Sequence, residues 1–163
     1  MNDGDVGSAA VFPMDGYHFD DHVLCARGWR RQKGAPHTFD VHGFAQMLSR
    51  LHRNEEDEIA IPVFDREIEI SRNSARLIAR PVRHLIVEGN YLLLDRPPWT
   101  EMANLFDTTV SLEVPMEILR DRLSKRWKGL PAEEQRAKLE DNDLPNARLV
   151  QSGSRRAEFV MMP

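Results

Sequence analysis

The sequence has a single cysteine, Cys25, so no disulfide can form within the chain. A lone thiol fits a reducing compartment, and its expected environment is a partly buried small side chain rather than a reactive centre. No stretch approaches the roughly 20 consecutive apolar residues that span a bilayer. Met1 to Ser8 is polar and acidic, without the apolar core of a secretion signal, and is expected to be disordered. Positive charge is not in excess. The formal net charge is −4, which removes the electrostatic reason to expect a nucleic-acid polymer as partner. Repeats and low-complexity tracts are absent too. A cytoplasmic protein without a membrane partner is therefore expected, and 163 residues fit one domain, 1–163, with a core of its own.

What is present is alternation. Ala9 to Met14 is a short apolar run that stops at Asp15-Gly16 and reads as a buried strand, although Pro13 weakens that reading. A short helix and a loop fit His18 to Lys33, and Lys33-Gly34-Ala35-Pro36 breaks the chain. Thr38 or Asp40 can cap a helix carrying Phe44, Met47, Leu48 and Leu51 at helical spacing. Ile59 to Phe64 is a second apolar run, and residues 67–80 fit either a helix or a hairpin.

His84 to Leu94 gives the strongest strand signal. Leu85-Ile86-Val87 is continuously apolar, the pattern of a strand covered on both faces. A short helix is expected at Trp99 to Leu105 and a strand at Thr108 to Val114. Pro115 then opens a helix with Met116, Leu119, Leu123 and Trp127 on one side, ending at Gly129 and Pro131. Ala132 to Glu140 reads as a polar helix, Asn142 to Asn146 as a capped turn, and Phe159 to Met162 as a last strand. Such alternation predicts an α/β fold built on a mostly parallel sheet with helices on both sides. The site of such a sheet lies at the carboxyl ends of its strands.

Two carboxylates fall there. Glu88 follows its strand directly and precedes Gly89-Asn90, a pair that permits a close turn. It can hold Mg2+, or simply leave the core and accept backbone hydrogen bonds. Asp15 can accept the proton of a hydroxyl substrate, or serve as a turn-forming Asp-Gly pair. Tyr17 and His18 are candidate substrate contacts or boundary residues. Asp20, Asp21 and His22 could group around a metal, though a solvated acidic turn fits them as well. Arg122 and Arg126 share one side of a basic helix, either beside a phosphate site or as a solvated face.

In combination, six segments resemble the uridine kinase, phosphoribulokinase and pantothenate kinase group of P-loop kinases, and most of all a bacterial subgroup of sugar, nucleoside or fructose-transport-system kinases. They are Met14-Asp-Gly-Tyr-His-Phe19, Lys33-Gly-Ala-Pro-His-Thr-Phe-Asp40, Pro62-Val-Phe-Asp-Arg66, Val87-Glu-Gly-Asn-Tyr-Leu-Leu-Leu94, Arg122-Leu-Ser-Lys-Arg-Trp127 and Asn142-Asp-Leu-Pro-Asn146. The resemblance runs from about residue 9 onward. It implies a three-layer P-loop sheet and ATP-dependent phosphoryl transfer to a hydroxyl of a small metabolite, with ATP and Mg2+ as cofactors. It implies Asp15 as general base and Glu88 as the acid near Mg2+, with Asp15 beside it. It puts Arg122 and Arg126 in a lid over the phosphates, within residues 116–131. Tyr17, His18, Asp40, Phe64, Arg66, Asn90 and Tyr91 are implied as acceptor contacts. The Phe-Asp-Arg segment departs from true uridine kinases, so uridine specificity does not carry over.

The chain also departs from the family at its front. It contains no Gly-Lys-Ser or Gly-Lys-Thr, and Gly4-Asp-Val-Gly-Ser8 is not a phosphate loop. The resemblance implies a first strand at the centre of the sheet, between the Glu88 and Thr108 strands, and nothing here matches it. The expectation is a shortened kinase that lacks the first strand, loop and helix and has little activity of its own. A non-catalytic metabolite-binding or partner-binding protein is the alternative, and association into a homo-dimer could fill the gap.

Overall fold

The computed structural model describes residues 9–162, so the expected disorder of residues 1–8 lies outside the described residues. Strand β1 (Ala9–Pro13) runs parallel to β4 (His84–Glu88), with Val11 opposite Ile86 and Pro13 opposite Glu88. Alternation divides this pair sharply. Phe12, Leu85 and Val87 turn into the core, whereas Val11 and Ile86 are 44% and 53% exposed on the other face. The double coverage expected from Leu85-Ile86-Val87 is thus half realised, because nothing among the described residues covers the second face.

Strands β2 (Glu58–Asp65) and β3 (Ile70–Ala79) form an antiparallel hairpin, which decides the ambiguous stretch 67–80. Glu69 makes the turn with φ 56°, and the register shifts between Ile61 and Val63, where Pro62 has no N–H to give. Strands β5 (Val110–Leu112) and β6 (Phe159–Met161) make another parallel pair. The expected single sheet is therefore corrected to three two-stranded sheets, two of them parallel. The break falls between β4 and β5, which no described strand joins.

Helix α1 (Asp21–Ala26) starts where the Asp20 side chain accepts the His22 N–H at 2.8 Å. Helix α2 (Val41–Arg53) is capped by Asp40, which accepts from Gly43 N–H at 3.0 Å, and closes at Asn54 in the left-handed region. Its inner side, Val41, Phe44, Leu48 and Leu51, enters the hydrophobic core, with the Phe44 and Phe12 rings stacked at 4.9 Å. Trp99–Leu105 is a 3-10 segment.

Helix α3 (Met116–Arg126) half-buries Met116, Leu119 and Leu123 and leaves its arginines exposed. Helices α4 (Ala132–Lys138) and α5 (Leu144–Gly153) are joined through a π-helical turn, Leu139–Asp143, where a capped turn is expected from sequence. Pro145 does not break the chain there because it sits in the first turn of α5, where its missing N–H is not needed. Cys25 is exposed rather than partly buried.

Gly89 ties the fold to Glu88. A Cβ at this position would stand 2.6 Å from Met14 Cβ and 2.8 Å from its sulfur, and Met14 is fully buried. Gly89→Ala is expected to cost about 1–3 kcal/mol through overpacking, read as a lower urea midpoint with an unchanged m-value.

Candidate active site

Asp15 and Glu88 leave the carboxyl ends of neighbouring parallel strands and line one cavity of about 1470 Å3. Asp15 sits in a 3-10 turn, Met14–Tyr17, clamped from above by the hairpin. Ser71 Oγ donates to the Gly16 carbonyl, and a Cβ on Gly16 would stand 2.5 Å from the Pro62 oxygen. Only glycine lets the turn approach the hairpin this closely. The hairpin also supplies Arg66, whose guanidinium donates to Asp15 Oδ2 at 2.8 Å.

Burial and the charge of Asp15 hold the Glu88 carboxyl above the usual range, with Arg66 acting against them. Two carboxylates in one crevice, served by one cation between them, form a donor set suited to a divalent cation. Among the described residues no group of three or more His, Cys, Asp or Glu gathers, so a Mg2+ here needs water or substrate oxygens to complete its shell. Asp20 and Asp21 are engaged elsewhere, in the α1 cap and in ion pairs with Arg30 and Lys33, both 2.7 Å.

His18 forms the wall beside Asp15. Its Nδ1 donates to the Asp15 carbonyl at 2.8 Å, and its ring lies 4.1 Å from Phe39 and 4.7 Å from Phe64. Burial pushes its pKa below the ordinary 6.5, and the nearby Lys33 charge adds to this, while Asp15 and Glu69 oppose it. His37 is lowered in the same direction by burial and Arg96.

The unfolded chain thus binds these protons more readily than the folded one. The stability they contribute is complete above 6.5 and falls as pH drops below it. Raised Glu88 acts with the opposite sign, favouring the fold as pH falls through its own range. His18→Gln is expected to flatten the loss of stability below pH 6.5, measured by urea titration across pH.

The loop Lys33–Gly34 closes the far wall. Lys33 is 8% exposed, and its Nζ donates to Asp21 and to the Glu69 carbonyl while lying 5.2 Å from the Phe64 ring centre. Asn142 Nδ2 donates to the Lys33 carbonyl at 2.9 Å, and Tyr91 Oη to the Gly34 carbonyl at 2.6 Å. The ammonium thus ties α1 to the hairpin turn, and the backbone carbonyl of the same residue ties the loop to the π-helical turn. Lys33→Met is expected to cost about 1–3 kcal/mol by leaving polar partners unpaired. It should also speed amide exchange at residues 66–70, where the hairpin turn loses its anchor.

Of the residues singled out from sequence, Asp15, His18, Phe64, Arg66, Glu88, Asn90, Tyr91 and Arg126 line the cavity. Tyr91 is nearly fully buried, with its hydroxyl committed to Gly34. Arg126 stacks at 4.8 Å over Trp127, whose indole N–H donates to Asp143 at 2.7 Å.

Tyr17, Asp40 and Arg122 are not brought to the cavity. Tyr17 packs edge-on against Phe12 and Phe44 with its hydroxyl buried and unpartnered, and burial raises its pKa. Asp40 caps α2, and Arg122 is exposed on α3. Sequence reasoning missed Lys33 and Asn142 as site residues. Both lie inside segments singled out above, but neither segment reveals a contact across 109 positions.

For a nucleotide triphosphate, the lining offers Arg126, Lys138, Arg155 and Arg156 but no glycine-rich loop with a lysine, which none of the 163 residues supply.

No protein-family model matches the chain. It is 34% identical over 163 residues to the uncharacterized protein YggC of Escherichia coli K12, covering 99% of this chain and 67% of that protein. It is 30% identical over 159 residues to a Schizosaccharomyces pombe protein named putative uridine kinase C227.14, covering 93% of this chain and 68% of the relative. The crystal structure of a putative fructose transport system kinase from Silicibacter sp. TM1040 superposes with a TM-score of 0.84 at 38% identity, covering 94% of this chain and 74% of that one.

Proposed function

Since the chain belongs to the uridine kinase-like P-loop kinases, we propose that its cavity is the acceptor half of an ATP-dependent phosphotransferase acting on a hydroxyl of a small metabolite such as a sugar or nucleoside. One observation carries the reading. Asp15 and Glu88 emerge from adjacent strand ends into one cavity, beside an aromatic wall of His18, Phe39 and Phe64. When bound, ATP would supply the phosphoryl group and Mg2+ would neutralise part of its charge.

The remaining roles belong to the chain's own side chains. Arg66 fixes one oxygen of Asp15 and leaves the other to accept the acceptor's hydroxyl proton. Neutral His18 orients the acceptor against Phe64, and Glu88 would hold Mg2+, directly or through water. Arg126, stacked on Trp127, would neutralise charge on the ATP phosphates from the lid helix.

A chain extended at its front by a strand, a G-x-x-x-x-G-K-S loop and a helix tests the reading. It is expected to transfer phosphate from ATP to at least one member of a sugar and nucleoside panel. Nucleotide binding without transfer to any hydroxyl would contradict it. A second reading, a metabolite-binding protein without catalysis, draws on the same intact acceptor wall and the missing phosphate loop. It predicts metabolite binding by the 163 residues that Mg-ATP neither competes with nor enhances.

A further inference from the structure

One of the six segments singled out in the sequence, Asn142 to Asn146, has no part in the proposed reaction. In the fold it ends the π-helical turn Leu139–Asp143 and opens α5. Single π turns inside helical runs are rare and often mark functional positions. This one packs against both α3 and the 3-10 segment Arg30–Gln32.

Buried polarity points to the same place. Among the described residues the buried polar or charged side chains are Lys33, Thr38 and Asn142, and all three meet at the loop 33–38. Thr38 Oγ1 accepts from the Gly34 N–H at 3.0 Å and donates to the Ala35 carbonyl at 2.7 Å. Asn142 Nδ2 donates to the Lys33 carbonyl at 2.9 Å, and its Oδ1 accepts from Asn146 Nδ2 at 3.0 Å. Both ends of this amide are therefore committed, and a buried polar group so satisfied specifies one geometry.

The next residue bonds elsewhere. Asp143 Oδ2 accepts from the Trp127 indole N–H at 2.7 Å, at the end of α3. Arg126 and Lys138 lie 4.8 Å and 5.3 Å from the Trp127 ring centre, so the ring bears two cations. Lys33, Gly34, Trp127 and both cations line the cavity. Two consecutive residues of one turn thus hold two separate parts of its wall.

We infer that Asn142 and Asp143 are positioning residues that keep the loop 33–38 and the cation-bearing Trp127 at one fixed spacing, so that a change at either part reaches the other through this turn. What the spacing serves rests on the acceptor-pocket reading. The loop backs the acceptor, Trp127 carries Arg126, and a rigid link between them keeps hydroxyl and phosphoryl group in attacking distance.

Amide hydrogen exchange of the nitrogen-15-labelled 163-residue chain, with no ligand added, tests the link. Trp127→Phe keeps a ring for the cations and removes the bond to Asp143. It is expected to speed exchange at Gly34, Ala35 and Thr38 by about fivefold or more, with α2 unchanged. Asp143→Leu should do the same, whereas Asp143→Asn, which keeps an acceptor oxygen, should match the parent. Asn142→Asp swaps a donor for an acceptor at nearly equal size. It should speed the same amides, and Trp127→Phe should then add nothing further. It should also move the Trp127 indole N–H resonance, a signature that lower stability alone does not give.

Unchanged exchange at the loop in Trp127→Phe and Asp143→Leu would overturn the inference. So would faster exchange spread evenly into α2, which marks a loss of global stability, or additive effects in the double variant. Should Asn142→Asp fail to fold, the changes at Trp127 and Asp143 decide alone. Neither nucleotide nor acceptor enters the measurement. A broken link therefore leaves the phosphotransfer reading standing, and absent transfer leaves the link standing.

Discussion

Asp15→Asn in the loop-extended chain is expected to lower kcat about a thousandfold, about 4 kcal/mol in barrier, while the acceptor KM changes little. Asparagine keeps the size of aspartate and can still accept one bond from Arg66, which now donates to Asp15 Oδ2 at 2.8 Å. What it lacks is the basicity to take a hydroxyl proton. Steady-state kinetics with the extended chain measure this, and a circular dichroism spectrum matching the parent excludes misfolding. Asp15→Glu should recover part of the rate, because a carboxylate returns at a longer reach. A loss confined to KM would instead mark Asp15 as a substrate clamp.

The 163-residue chain by itself should turn over ATP at less than about a thousandth of the roughly 1–100 per second common among kinases. Its cavity carries arginines and Lys138, which can attract a polyphosphate. Point charges on flexible side chains do not replace a row of preorganised backbone N–H groups, and losing a single such donor elsewhere costs about a hundred- to thousandfold. A coupled assay with Mg-ATP and the sugar and nucleoside panel reads the rate. Robust turnover would mean that the residues present form a phosphate site of another kind.

Local signals in the sequence marked most elements well. The apolar run ending at Asp15-Gly16, the strand ending at Glu88, the Asp40 cap and the Pro115 helix start all have causes within a few residues. What was not legible depends on distant partners. The ambiguity of residues 67–80 was resolved by pairing with β2, and the expected turn at Asn142 became helical where its side chain reaches Lys33 and Asn146.

Lys33 looked like loop punctuation because its three partners come from α1, the hairpin turn and the Phe64 ring. Tyr17 read as a substrate contact from its place beside His18. In this 3-10 turn successive side chains diverge by about 120°, and Tyr17 goes to Phe12 and Phe44 in the core while His18 lines the cavity. The bare face of β4 went the other way: its sequence was that of a doubly covered strand, and the described residues leave half of that cover missing.

The claim beneath all of this is that Asp15 and Glu88 share one electrostatic environment. Carbon-13 NMR titration of the Glu88 carboxyl, in the parent chain and in Asp15→Asn, tests it most directly. The account predicts a Glu88 pKa above the ordinary 4.5 in the parent, falling toward it once the Asp15 charge is removed and the Arg66 charge stays. An identical titration in the two proteins would show that the carboxylates do not face one another, and the shared site would have to be given up.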